Sequence, residues 1–276
     1  MLKTSIVLAA VMASVASAIA TGATTPQVQG TRPGTEDWCR ANNRSSDRET
    51  HSEVREFIVP ASGATVAVDA APNGGISVEG QVRSDIQVRA CVSATAATAE
   101  QARALVQRVE VIATANRVAA EGPQNLAQRE GWHVSYRLAV PNRTSMSLQT
   151  SNGGISLSDL DGQIDFATVN GGVTLNRLAG HVRGRTTNGG VTVDLDGATW
   201  NGEGLEVETQ NGGVRMSIPA DYSARLETAT SNGGLNSDFP VANQGRNVRS
   251  IETQLGSGGP LIKVRTQNGG VNIRRK

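Results

Sequence analysis

The chain has 276 residues, 31 of them glycine, and aromatic residues make up only 3%. Rings usually fill a thick globular core, so the core here must be narrow and built from Val, Ile, Leu and Ala, for which the 38% hydrophobic content suffices. Charged residues at 18% and a formal net charge of +1 exclude a long charged tail and leave no electrostatic footprint for nucleic acid.

Residues 1–20 read as a secretory signal peptide. Lys3 precedes an apolar stretch from Ile6 to Ala13, and Ala16-Ser17-Ala18 or Ala18-Ile19-Ala20 suits a signal peptidase. That apolar stretch is short for a membrane span, and no later segment approaches ~20 apolar residues. The expected mature protein is therefore exported, without a transmembrane segment, to the periplasm, cell surface or medium. Cys39 and Cys91 are the only cysteines and are expected to join there. Closing a loop of about 50 residues contributes roughly 4 kcal/mol in the chain-entropy model. His51, His133 and His181 are scattered, and neither cysteine has a ligand neighbour at metal-binding spacing, so no metal or other cofactor is expected.

Residues 21–50, rich in Thr, Gly, Pro, Asn and Arg without an apolar period, read as a linker. Residues 51–141 form an N-terminal β region. Alternation predicts strands over 54–59, 64–69, 76–79, 86–92, 109–113 and 132–140. One short helix is expected near 99–108, opened by a capping box at Thr98-Ala99-Glu100-Gln101.

Residues 142–276 repeat themselves, and 51–276 reads as one continuous domain. Asn-Gly-Gly begins at Asn73, Asn152, Asn170, Asn188, Asn211, Asn232 and Asn268, and all but the first have Thr two residues earlier. A degenerate copy, Gly256-Ser257-Gly258-Gly259, falls between the last two. The repeat aligns Ile155/Val173/Val191, Leu157/Leu175/Val193, Leu160/Leu178 and Ile164/Val182 as apolar columns. Alternation marks strands with one face inward, and the glycines mark corners. Asn-Gly suits positive φ at two successive residues, while the second Gly lets backbones approach closely. The predicted fold is all-β: a β-solenoid, or β-helix-like stack of ~18–25-residue coils, with one short N-terminal helix. A thin coil has no room for rings, which accounts for their scarcity. The rival is an antiparallel meander, because Asn-Gly between alternating strands is also a strong hairpin signal.

The Thr-x-Asn-Gly-Gly units and the run Val134-Ser135-Tyr136-Arg137-Leu138-Ala139-Val140-Pro141 resemble the bacterial putative-adhesin family of the toastrack type, over roughly residues 50–276. That resemblance implies a β-helix-like stack in an exported envelope protein acting in adhesion, surface assembly or stress sensing. It supplies no catalytic residues.

Candidate binding residues are Thr168, Asn170, Thr186 and Asn188 and their equivalents. Pointing inward, they form an amide ladder that satisfies corner backbone groups; pointing outward, they form a polar stripe for a repetitive ligand such as a glycan or ice. The inward ladder is expected, since buried corners need partners. Asp159, Asp161, Asp165, Asp194 and Asp196 are the candidates for glycosidase or lyase chemistry. They occupy different columns, however, with Asp159 aligned on Arg177 and Leu195 and Asp161 on Ala179, and corner solvation is the expected role. Gly189-Gly190-Val191-Thr192-Val193-Asp194 lacks the fourth-place Gly of a calcium-binding nonapeptide. Gly256-Ser257-Gly258-Gly259-Pro260 lacks the Lys of a phosphate loop. Trp132 and Trp200 are expected at coil ends, as caps in preference to sugar-stacking platforms. Arg274-Arg275-Lys276 is expected to block an edge. The expected function is a non-catalytic adhesion or envelope-assembly module whose partner is a cell-envelope or surface component, protein or glycan. A polysaccharide-active enzyme is the alternative.

Overall fold

Where polar and apolar residues alternate between Asp161 and Asp194, the chain is extended, and each apolar column becomes a ladder of neighbours. Ile155 pairs with Val173 and Val173 with Val191, all parallel and in register. On the other side Ile164 pairs with Val182 and Thr168 with Thr186, again parallel. These relationships come from a computed structural model that describes residues 27–29, 37–39, 48–240 and 249–276. The segment read as a signal peptide lies outside the described residues. Two short elements, the strand Gln27–Gln29 and the 3-10 turn Asp37–Cys39, fall within the stretch read as linker.

Among the described residues the strands form an 11-stranded and a 10-stranded sheet, both mixed, and neither closes into a barrel. Each rung of the repeat gives one strand to each sheet. The rung of Asn170, for example, runs along Asp161–Asn170 in the second sheet, turns at Asn-Gly-Gly, and returns along Val173–Asn176 in the first. Side chains from both sheets, among them Leu157, Ile164, Leu175 and Val182, meet in a single core. The meander is not what forms at these corners, since successive rungs pair in parallel.

Antiparallel strands close the ends. Glu49–Pro60, Asp85–Ala96 and Gly131–Pro141 extend the first sheet beyond Ile76–Gln81. The helix Ala99–Gln107 lays Ala102, Leu105 and Val106 on this end. Its capping box is complete: Gln101 N–H donates to Thr98 Oγ1 (3.3 Å) and Thr98 N–H donates to Gln101 Oε1 (3.2 Å). At the far end Ser250–Leu255 pairs antiparallel with Ala224–Asn232.

The order of the last rungs departs from the chain order. Leu261–Asn268 lies between Gly204–Asn211 and Ala224–Asn232, and Val271–Arg275 lies between Val214–Ile218 and Leu235–Ser237. The C-terminal rung is therefore inserted beneath the one that precedes it in sequence. Gly256-Ser257-Gly258-Gly259, read as a degenerate corner, is instead the turn into this inserted rung. Its glycines have φ of 52°, 81° and 140° at 256, 258 and 259, and Gly258 N–H closes on Leu255 O at 2.9 Å.

The corner chemistry also differs from expectation. No Asn or Gly of the Asn-Gly-Gly units has positive φ; the left-handed non-glycine residues Asp159 and Arg177 occupy the opposite corner. Close approach falls on the first glycine of each unit, not the second. A Cβ on Gly171 would stand 2.0 Å from Gly153 O, whereas one on Gly172 would meet only Gly190 O at 3.6 Å. The first glycine is required because adjacent rungs touch backbone to backbone there.

Candidate functional site

At every full Thr-x-Asn-Gly-Gly corner the threonine turns into the core. Its hydroxyl donates to the carbonyl of the first glycine one rung below: Thr150 to Gly74 (2.7 Å), Thr168 to Gly153 (2.9 Å), Thr186 to Gly171 (2.9 Å) and Thr209 to Gly189 (2.8 Å). Thr266 and Thr230 do the same to Gly212 and Gly269, both at 2.7 Å. The glycine that lets the rungs touch thus finds a donor for its carbonyl oxygen.

The asparagines are exposed, which corrects the expectation that both side chains face inward. Asn is the last residue of its strand, so the pleat that would have aligned it with Thr ends there. The ladder nevertheless forms, on the surface. Asn152 Nδ2 donates to Asn73 Oδ1 (2.8 Å), Asn170 to Asn152 (2.7 Å), Asn188 to Asn170 (2.8 Å) and Asn211 to Asn188 (2.9 Å). It continues from Asn268 to Asn211 (2.7 Å) and from Asn232 to Asn268 (2.8 Å), following the rung order in space. Thr168 and Thr186 thus serve the corner from inside, and Asn170 and Asn188 lace it from outside.

The outer faces of the two sheets differ in chemistry. Along the second sheet the register aligns Asp165, Arg183, Glu206, Lys263 and Glu227, so charge alternates from rung to rung. Lys263 Nζ bonds Glu206, which holds that carboxyl below its ordinary range. Arg225 and Arg265 reach Glu227 at 2.9 and 3.7 Å. Along the first sheet one row runs through Arg137, Ser77, Ser156, Thr174, Thr192 and Arg215. The second glycines of the Asn-Gly-Gly units lie beside this row, and together they floor shallow grooves.

The Cys39–Cys91 disulfide is formed and holds the neighbouring Trp38 at one end of that row. The Arg137 guanidinium lies over the Trp38 ring, 4.5 Å from its centroid. Neither Trp38 nor this row stood out in the sequence; the signal was the register of the columns, which places Arg137 in line with Ser77. Trp200 is buried and its Nε1–H donates to Gly180 O (2.8 Å), so it fills a corner, while Trp132 is half-buried and donates to Pro123 O (2.9 Å).

The structure does not gather the acidic candidates. Arg177 grips Asp159 with two bonds of 2.7 and 2.6 Å, and that contact raises the arginine pKa. Asp194 meets Lys276 Nζ at 2.6 Å, and Asp161 lies 3.7 Å from Arg143. Asp165 and Asp196 are exposed. His181 Nδ1 meets Glu203 Oε2 at 2.5 Å, apart from these carboxylates. Among the described residues no three His, Cys, Asp or Glu side chains come together to hold a metal, and no helix is long and apolar enough to cross a membrane.

The family model described as Toastrack DUF4097 matches residues 73–274, which takes in every Asn-Gly-Gly corner. The chain belongs to this family. Among solved structures, this toastrack chain is similar to a putative cell adhesion protein from Clostridium sporogenes, with 14% identity over 83% of this chain and all (100%) of that one, at a TM-score of 0.45. It is also similar to a putative adhesin from Bacteroides fragilis, with 12% identity, coverage of 84% and 98%, and a TM-score of 0.32. A putative lipid binding protein from Parabacteroides distasonis is similar at 11% identity, with coverage of 81% and 96% and a TM-score of 0.34. No curated protein matches the chain.

Proposed function

We propose that the chain is an exported β-solenoid, a stack of ~18–25-residue coils, that works without catalysis as an adhesion or envelope-assembly module. The observation that carries this reading is the unbroken asparagine ladder from Asn73 to Asn232. A ladder of that kind holds both outer faces at a strand spacing of ~4.8 Å, a regular surface suited to a repetitive envelope partner. Export is supported by the Cys39–Cys91 bond, which persists in oxidising compartments, and by the signal-like pattern of residues 1–20. A non-catalytic role is supported by the acidic candidates, since Asp159, Asp161 and Asp194 each face a different cation on a separate rung.

Crosslinking the mature protein in its own cell envelope tests the reading. Capture of one envelope protein or glycan in stoichiometric yield is expected. Turnover of a polysaccharide, lost on Asp159→Asn, Asp161→Asn or Asp194→Asn, would replace the module with an enzyme.

A further inference from the structure

We infer that the outer face of the first sheet binds a linear acidic polysaccharide between Arg137 and Arg215. This inference rests on the binding-module reading and names its ligand class. The two arginines bracket one straight stretch of a cross-strand row, with Ser77, Ser156, Thr174 and Thr192 between them, and the row continues beyond them through Arg89 to Glu56 and through Asn272 to Asn236. Five strand steps of ~4.8 Å separate them, about 24 Å along the stack. Both are exposed, and among the described residues neither has a carboxylate within ion-pair distance, unlike Arg183, Arg225 and Arg265 of the second sheet.

The Arg137 guanidinium meets Trp38 in a cation–π contact, which does not consume its N–H donors and so leaves them for a carboxylate. Between the two arginines the row contains no acid, and Glu56, two strands beyond Arg137, is bonded by Arg89 at 3.1 Å. Glu79 and Asp194 lie one column further along the strands, and Asp194 is neutralised by Lys276. Among the described residues none of the four intervening hydroxyls has a protein hydrogen-bond partner, whereas every corner threonine does. Among the described residues the large exposed apolar side chains Ile58, Val82 and Val169 all lie outside the stretch from Arg137 to Arg215. Donors at both ends, hydroxyls at each step and a glycine floor fit a chain of hydroxyl-bearing units with intermittent negative charge.

Calorimetry on the mature protein with polygalacturonate oligomers tests this. Oligomers long enough to reach both arginines should bind, and those too short should bind at least tenfold more weakly, since the second contact is then lost. Arg137→Ala and Arg215→Ala should each weaken binding about tenfold, and added salt should weaken it further. Arg185→Ala on the second sheet should leave it unchanged. Equal binding of the methyl-esterified polymer or of single-stranded DNA, indifference to both arginine variants, or no binding by the wild type would overturn the inference. Envelope capture that survives the double arginine variant would overturn it and leave the module reading standing. Wild-type protein that captures nothing would overturn both.

Discussion

Lys263 stands directly beside Glu206 on the outer face of the second sheet, 57 residues away in sequence, with its ammonium on the carboxylate. Its other neighbour in the ladder is Glu227. Had the rungs stacked in chain order, the strand of Glu206 would have met that of Glu227, carboxylate against carboxylate, a destabilising cross-strand pair. Insertion of the C-terminal rung places a cation between them. Lys263→Glu should therefore destabilise the protein by about 1–2 kcal/mol relative to Lys263→Met, and by more at low salt, as denaturant melts would measure. The Glu206 contribution is present above its unfolded value of 4.5 and is lost as the pH falls through its lower folded value. Lys263→Met should reduce that acid-side loss, leaving the part that Arg183 and Arg265 contribute.

The two glycines of a corner should respond oppositely to a methyl group. Gly171→Ala forces a Cβ to 2.0 Å from a backbone oxygen that cannot step aside, and should cost about 3 kcal/mol or more. Gly172→Ala meets an ordinary contact and should cost less than about 1 kcal/mol. Equal losses in thermal melts would remove the close-approach explanation.

Inside and outside partners at one corner should also differ. Thr186→Val keeps the shape but leaves the half-buried Gly171 O without its hydroxyl donor, a loss of about 1–2 kcal/mol. Asn188→Ala breaks two exposed ladder bonds whose groups water can serve, and should cost less than about 1 kcal/mol. Urea titration of the two variants should separate them.

Among the described residues the buried Tyr136 hydroxyl has no hydrogen-bond partner. Tyr136→Phe should therefore be neutral or stabilising by up to about 1 kcal/mol. Burial pushes this phenol upward, with Asp69 adding to it, and pushes Tyr222 up to about 12, with Asp196 adding there. An unfolded tyrosine loses its proton near 10, before the folded one does, so the folded state binds more protons and stability falls as the pH rises above 10. Tyr222→Phe should make that alkaline decline shallower in melts recorded between pH 9 and 11, a window spanning roughly one unit either side of the unfolded value.

The repeat was legible because each corner imposes the same demands on the same positions: a donor from Thr, an approach without Cβ at Gly, and apolar side chains three and five residues after Asn. Those demands placed Ile155, Val173 and Val191 in one column before any coordinates, and the structure pairs them so. The direction of Asn170 and Asn188 was not legible, since strand alternation says nothing once the strand has ended. Nor was the position of the last rung, because its local pattern matches the others; only the charges of Glu206, Lys263 and Glu227 carried that information. The strand Arg117–Glu121 escaped because its buried Val118 and Ala119 are adjacent and hide the alternation. The row from Arg137 to Arg215 escaped because it draws one residue from each of six segments that only the register brings together.

Cysteine pairs at the exposed corners test the stacking most directly. Adjacent parallel strands bring Cα atoms to ~4.8 Å, within disulfide reach, whereas strands two steps apart stand at about 10 Å, beyond it. Asn211→Cys with Asn268→Cys should crosslink under mild oxidation, as peptide mapping would detect, and Asn211→Cys with Asn232→Cys should not. Crosslinking of the second pair and not the first would contradict the inserted rung and the ladder built on it.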